Sequence, residues 1–221
     1  MTDDELRAWA YLASVAEPPC APLGGLIARV GVLEAASAVR RRTMPHGFGA
    51  VLGATEARYR IDSAATDLDL AHRIGARLVT PEHEEWPAWS LLPLGRADTA
   101  ARGGEPLALW ARGPGRIDET ASSSIALVGA RASTAYGDNV TATMSAGLVD
   151  KGWAVTSGAA FGIDVAAHRG ALAAGGTTMA VLACGIDRDY PTAHSVILGE
   201  IARTGLVITE YPPGSTVARR R

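Results

Sequence analysis

Cysteine is scarce: only Cys20 and Cys184 occur, far apart and outside any CxxC or Cys/His spacing. Neither a disulfide framework nor a structural zinc site is expected. Lysine is scarcer, with Lys151 the single one among 21 basic residues, so any strong phosphate contact has to come from arginine or from backbone. There is no excess of positive charge: the formal net charge is −2 and the pI about 6.2. A chain that binds polyanions through a global basic field is thereby excluded, and such a role would need a local basic pocket. No apolar run reaches the ~18 residues of a membrane-spanning helix. The opening MTDDELRAWA is acidic and does not resemble a secretory signal, so a cytoplasmic protein is expected. Neither GxGxxG nor GxxxxGK[ST] occurs. A standard dinucleotide fingerprint and a Walker A loop are both missing, and no cofactor is expected.

What is present is enough to build a core: 48% of residues are hydrophobic, 20% are charged and the mean hydropathy is +0.10. Two compositional regimes divide the chain. Residues 1–76 read as a small helical accessory domain. Leu6, Trp9, Ala10, Ala13 and Ala16 recur at helical spacing before Pro18-Pro19, and 23–30, 32–41 and 68–76 read as further short helices. Residues 77–221 change rhythm. Short apolar runs at 78–80, 107–110, 125–128, 153–156, 179–182 and 206–208 are, in several cases, separated by helical stretches. That alternation predicts an α/β domain, a mostly parallel sheet of strands buried on both faces with helices packed on either side. In the helix after Val128, Val140, Met144 and Leu148 lie four apart, the phasing of an apolar face. The stretch 81–104, with Trp86 and Trp89, reads as a loop-rich connection.

In such a sheet, ligands bind beyond the carboxyl ends of the strands. The segments following the runs that end at Val128, Val155, Leu182 and Ile208 carry glycine and small hydroxyl residues: Gly129 to Gly137, Thr156 to Asp164, Ala183 to Pro191 and Thr209 to Gly214. Glycine admits close backbone approach and helix starts attract anions, so together they suggest a phosphate-accepting rim. The plain alternative is that Gly and Ser are good turn residues. Arg131, just past a strand between Gly129 and Ser133, points beyond that alternative, since a guanidinium there suits a phosphate or a base face. Ser157, Asp164 and His168 also bring a Ser-His-Asp triad or a metal site to mind. Two ligands do not make a metal site, and Asp164 beside a helix start reads more simply as a cap.

At these loops the residues become specific. Val128-Gly129-Ala130-Arg131 through Tyr136-Gly137, Ser157-Gly158-x-Ala160-x-Gly162-Ile163-Asp164 with Ala167-His168-x-Gly170-Ala171-Leu172, Gly185-Ile186-Asp187-x-x-Tyr190-Pro191, and Thr209 to Gly214 follow one another in a fixed order. That series resembles the DNA-processing protein A (DprA/Smf) family, densely from about 78 to 214. The resemblance implies an extended Rossmann-like fold and a non-catalytic protein that binds single-stranded DNA. It also implies loading of the RecA recombinase during natural transformation (competence) and self-association as a homodimer. The matched positions assigned to DNA binding are Gly129, Arg131, Thr134, Ser157, Gly158, Gly162 and Gly185. Ala130 stands where the family usually has Ser, and Thr209 where Ser is common. The family pattern continues past 221 into an R-N-R segment, so a C-terminally incomplete domain with an unpaired sheet edge is expected. A nucleotide phosphoribohydrolase of the lysine-decarboxylase-like type is the enzymatic alternative. Its P-G-G-x-G-T-x-x-E signature is matched only by Gly175-Gly176-Thr177-Thr178, without the proline or the glutamate. A DprA remnant that no longer binds DNA is the other.

Overall fold

The computed structural model describes residues 1–96 and 104–216. Thr2 starts α1 (Asp3–Val15) with a capping box: its hydroxyl accepts from the Glu5 N–H, and the Glu5 carboxylate accepts from the Thr2 N–H. This satisfies donors that the first helical turn leaves without partners. Helices α2 (Ala21–Val30) and α3 (Val32–Arg41) meet at Gly31, where a φ of 82° turns the chain between them. A six-residue helix, α4 (Ala50–Thr55), is too short to leave a periodic trace in the sequence. The last helix of this part, α5 (Ala64–Arg73), begins and ends earlier than the expected 68–76. Gly75, at φ 70°, swings the chain round, and Ala76 already belongs to a strand.

All six apolar runs form strands: β1 (Ala76–Val79), β2 (Leu109–Arg112), β3 (Ser124–Ala126), β4 (Ala154–Ser157), β5 (Thr178–Leu182) and β6 (Leu206–Thr209). They make one sheet in the order β1-β2-β6-β5-β4-β3. Strands β3 to β6 are parallel, while β1 and β2 add an antiparallel flank beyond β6. The connections are α6 (Ala88–Arg96), inside the stretch expected to be loop, α7 (Ile117–Ser122), α8 (Ala135–Val149), α9 (Ile163–Ala173) and α10 (Ser195–Thr204). The sheet is mixed α/β with helices on both faces, and the alternation along β6 shows it. Leu206 and Ile208 join Met179 and Ile117 in one buried cluster, whereas Val207 joins Leu198 and Ile201 of α10 in the other. That second cluster runs on without a break into Leu12 of α1 and Leu26 of α2. Among the described residues no single helix is long and apolar enough to cross a membrane.

Two expectations about burial need correction. The run 125–128 is expected to be buried on both faces, yet β3 is one of the two edge strands, and Ile125 and Val128 are exposed. A strand with a neighbour on one side only leaves its flank to solvent. Of the apolar stripe of α8, Leu148 packs against the cluster of Val155, Ala167 and Ala171, but the two residues before it turn away from the core. Val140 and Met144 are exposed, while Thr141 and Ser145 are buried. The reason lies in α9: a Cβ at Gly170 would stand 2.8 Å from the Ala142 Cα and 2.9 Å from the Ser145 Cβ, so the two helices approach through their small residues.

Candidate functional site

The loops after β3 and β4 are built against each other. Ser157 at the end of β4 donates from Oγ to the Leu127 carbonyl (2.7 Å), tying the two strand ends together. Gly158 leaves room for the Asp164 carboxylate, whose Oδ2 would be 2.9 Å from a Cβ there and instead accepts from the Ala160 N–H. Gly162 is required twice: its φ of 80° belongs to the glycine region, and a Cβ would lie 2.1 Å from the Ala130 carbonyl oxygen. The next residue, Ile163, donates its N–H to that same oxygen (3.1 Å), and its side chain covers Gly129, where a Cβ would meet Ile163 Cγ1 at 2.7 Å. Thus Gly129, Gly158 and Gly162 are small because protein packs against protein at each. Their joint effect is to seat the loop bearing Arg131 on the start of α9.

Thr134 caps α8, its hydroxyl accepting from the Gly137 N–H (3.2 Å). His168 is fully buried under the site. The Thr178 hydroxyl donates to the Val155 carbonyl (2.7 Å), so it accepts from His168 Nδ1–H (2.7 Å) and leaves Nε2 as the unprotonated nitrogen. Burial pushes its pKa down to about 4. With Ser157 bonded to Leu127 and His168 bonded to Thr178, these residues form no catalytic triad. Among the described residues no cluster of His, Cys, Asp and Glu could hold a metal ion. The Cys184 thiol, pushed by burial up to about 11, is no nucleophile at neutral pH.

Gly185 belongs to a second pair of laced loops, those following β5 and β6. It donates to the Ser215 carbonyl (2.9 Å), Asp187 accepts from the Gly214 N–H (2.8 Å), and the Thr209 hydroxyl donates to the Cys184 carbonyl (2.9 Å). Glu210 beside them is half-buried, its pKa raised by desolvation, and its Oε2 has no hydrogen-bond partner among the described residues.

An open cleft of about 540 Å³ lies at the loops after β3 and β4 and reaches the short turn at Ala193 and His194. Its lining includes Arg131, Ser133 and Asp138 from the loop after β3 and the start of α8, Phe161 and Gly162 from the loop after β4, Arg169 of α9, and His194. Of the seven positions singled out in the sequence, Arg131 and Gly162 line this cleft. Gly129, Thr134, Ser157 and Gly158 support its walls from behind, and Gly185 braces the neighbouring loops. Arg131 and Arg169 make no ion pair or side-chain hydrogen bond among the described residues. Asp138, which accepts from the Ser133 hydroxyl, is the acidic counterweight. The starts of α8 and α9 open beside the same cleft and add the positive ends of their dipoles. Sequence reasoning missed Arg169, Phe161 and His194. Arg169 was legible in principle, since Gly162, Val165, Ala166 and Arg169 fall at helical spacing on one face. Phe161 stands out as an aromatic among glycine and alanine, while His194 reaches the site only through the fold.

The sequence model of the family described as DNA recombination-mediator protein A matches residues 77–221. The chain belongs to that family. It is 50% identical over 223 residues to a putative DNA processing protein DprA of Mycobacterium tuberculosis, a match that covers 100% of this chain and 57% of that protein. It therefore spans a little over half the length of this relative. The DNA processing protein DprA of Streptococcus pneumoniae is 38% identical over 100 residues, 45% of this chain and 35% of its own length. In structure, the Streptococcus pneumoniae DNA processing protein A superimposes with a TM-score of 0.70 at 22% identity, covering 99% of this chain and 71% of that one. A Helicobacter pylori DNA processing protein A, described for its mode of binding single-stranded DNA, gives 0.52 at 24% identity over 65% of this chain and 59% of that one. These superpositions establish the shared fold, including the Rossmann-like domain.

Proposed function

We propose that this chain binds single-stranded DNA in the cleft between Arg131 and Arg169, as the DNA-binding part of a DNA processing protein. In this reading it performs no catalysis, works in the cytoplasm, and presents the strand to a recombinase of the RecA type during DNA uptake, self-associating as it does so. The observation that carries the proposal is the pair of guanidinium groups, without ion-pair partners among the described residues, facing one cleft at the helix starts of a DNA recombination-mediator domain. A polyanion ligand is compatible with a net charge of −2 because two arginines supply positive charge locally at the cleft. Titration of the purified chain with labelled single- and double-stranded oligonucleotides at two salt concentrations tests it. Affinity for the single strand should exceed that for the duplex and fall as salt rises, because each phosphate contact releases counterions. Arg131→Ala should weaken binding across sequences and lower the salt slope by about 1. Unchanged affinity in that variant at low ionic strength would remove the cleft as the binding site.

A further inference from the structure

Phe161 stands apart from the loop that holds it. Its neighbours Gly158, Ala159, Ala160 and Gly162 are all small and Ala159 is buried, whereas Phe161 is large and 50% exposed. Two features fix the ring there. On one side it meets His194 edge-on, with ring centroids 4.7 Å apart and planes inclined by 62°. His194 is itself buried and held by a hydrogen bond between Nδ1 and the Ala159 carbonyl (2.9 Å). On the other side, Ala159 at φ 56° and Gly162 at φ 80° bracket the residue, so the backbone directs its side chain outward instead of into the core. The remaining surface of the ring lines the cleft that also holds Arg131 and Arg169.

An aromatic ring that is held in place, left half bare and set beside two unpaired guanidinium groups matches the two halves of a nucleotide. Cations take the phosphate and a π-face takes the base. A site for phosphate alone has no use for the ring, and a hydrophobic core has no use for the arginines. We infer that Phe161 is a stacking platform for an unpaired base, so that the cleft holds one nucleotide step, with phosphate at Arg131 and Arg169 and base on Phe161. This rests on the single-stranded DNA reading above and adds a specific claim to it: part of the affinity comes from bases and is independent of charge. A duplex, whose bases are stacked on one another, cannot use the platform.

The test compares an oligothymidylate with an oligonucleotide of equal length made wholly of abasic sites, by fluorescence anisotropy at low salt. Wild type should bind the thymidylate about tenfold more tightly than the abasic strand, the scale of one stacked base. Phe161→Leu should lose that preference while binding the abasic strand as wild type does, with an unaltered salt slope; the abasic affinity thus reports that the cleft is intact. Phe161→Trp should restore the preference, and Arg131→Ala should weaken both strands alike. A Phe161→Leu variant that keeps the wild-type ratio overturns the platform and leaves DNA binding standing. Wild-type protein that binds neither strand overturns the underlying reading instead.

Discussion

His168 makes stability fall between neutral and mildly acid pH, and the size of the fall follows from its surroundings. The imidazole is fully buried between α9 and β5, donates from Nδ1 to Thr178, and keeps a bare Nε2 sealed from water. Burial strips water from the charged ring, and this outweighs the help that the Asp164 charge and the Ser157 backbone give to protonation, so the folded pKa drops to about 4 from the ordinary 6.5. A depressed histidine costs nothing above its unfolded pKa. As pH falls below about 6.5, the unfolded chain takes up a proton that the folded chain refuses, and stability declines until about pH 4. Between pH 7.5 and 5.0 the two pKa values give a loss of about 2 kcal/mol. Asp67 and Glu210, whose pKa values are raised by burial, work in the opposite direction as pH falls. The quantity to measure is therefore the difference between wild type and His168→Asn, which keeps a donor for Thr178 and cannot titrate. Urea unfolding at both pH values, followed by tryptophan emission, supplies it. The variant should lose roughly 1–2 kcal/mol at pH 7.5 from the smaller side chain. It should then lose about 2 kcal/mol less than wild type on going to pH 5.0. Equal losses in the two proteins would refute the buried neutral imidazole.

Other perturbations probe the remaining supports. Glu85, buried, accepts two hydrogen bonds from Arg77 (2.5 and 2.7 Å); burial pushes its carboxyl up, but the Arg77 guanidinium outweighs this and holds it low. Glu85→Ala takes the carboxylate from Arg77, which keeps only the Gly113 and Gly115 carbonyls, and should cost about 2–3 kcal/mol in denaturant unfolding. Thr134→Ala removes the cap of α8 and should cost about 1 kcal/mol, with DNA affinity falling less than in Arg131→Ala. Gly162→Ala meets both a positive φ and the Ala130 oxygen. It should displace the Arg131 loop from α9, seen as a loss of oligonucleotide binding larger than its loss of thermal stability. Gly170→Ala forces α8 from α9 and should lower the melting temperature by several degrees while leaving the preference for thymidylate over abasic strand intact.

Short-range chemistry determined much of this molecule. Thr2 with Glu5, Gly31 and the six apolar runs specified where α1 begins, where α2 gives way to α3, and that strands alternate with helices in the second part, because capping, positive φ and continuous apolarity act within a few residues. The ordered glycine motifs likewise marked the loops at which a site would form. What only the tertiary structure decided is what each of those residues touches. A Cβ at Gly129, Gly158 or Gly162 would meet Ile163, Asp164 or Ala130, and His168 is a core residue. Val140 and Met144 face outward because Gly170 draws the small side of α8 inward. Arg131, Phe161, Arg169 and His194 lie in different segments of the chain and share one cleft only because parallel strands β3, β4 and β5 bring their following loops to the same edge. Periodicity reports which side of an element is apolar; packing alone selects the neighbour that side meets.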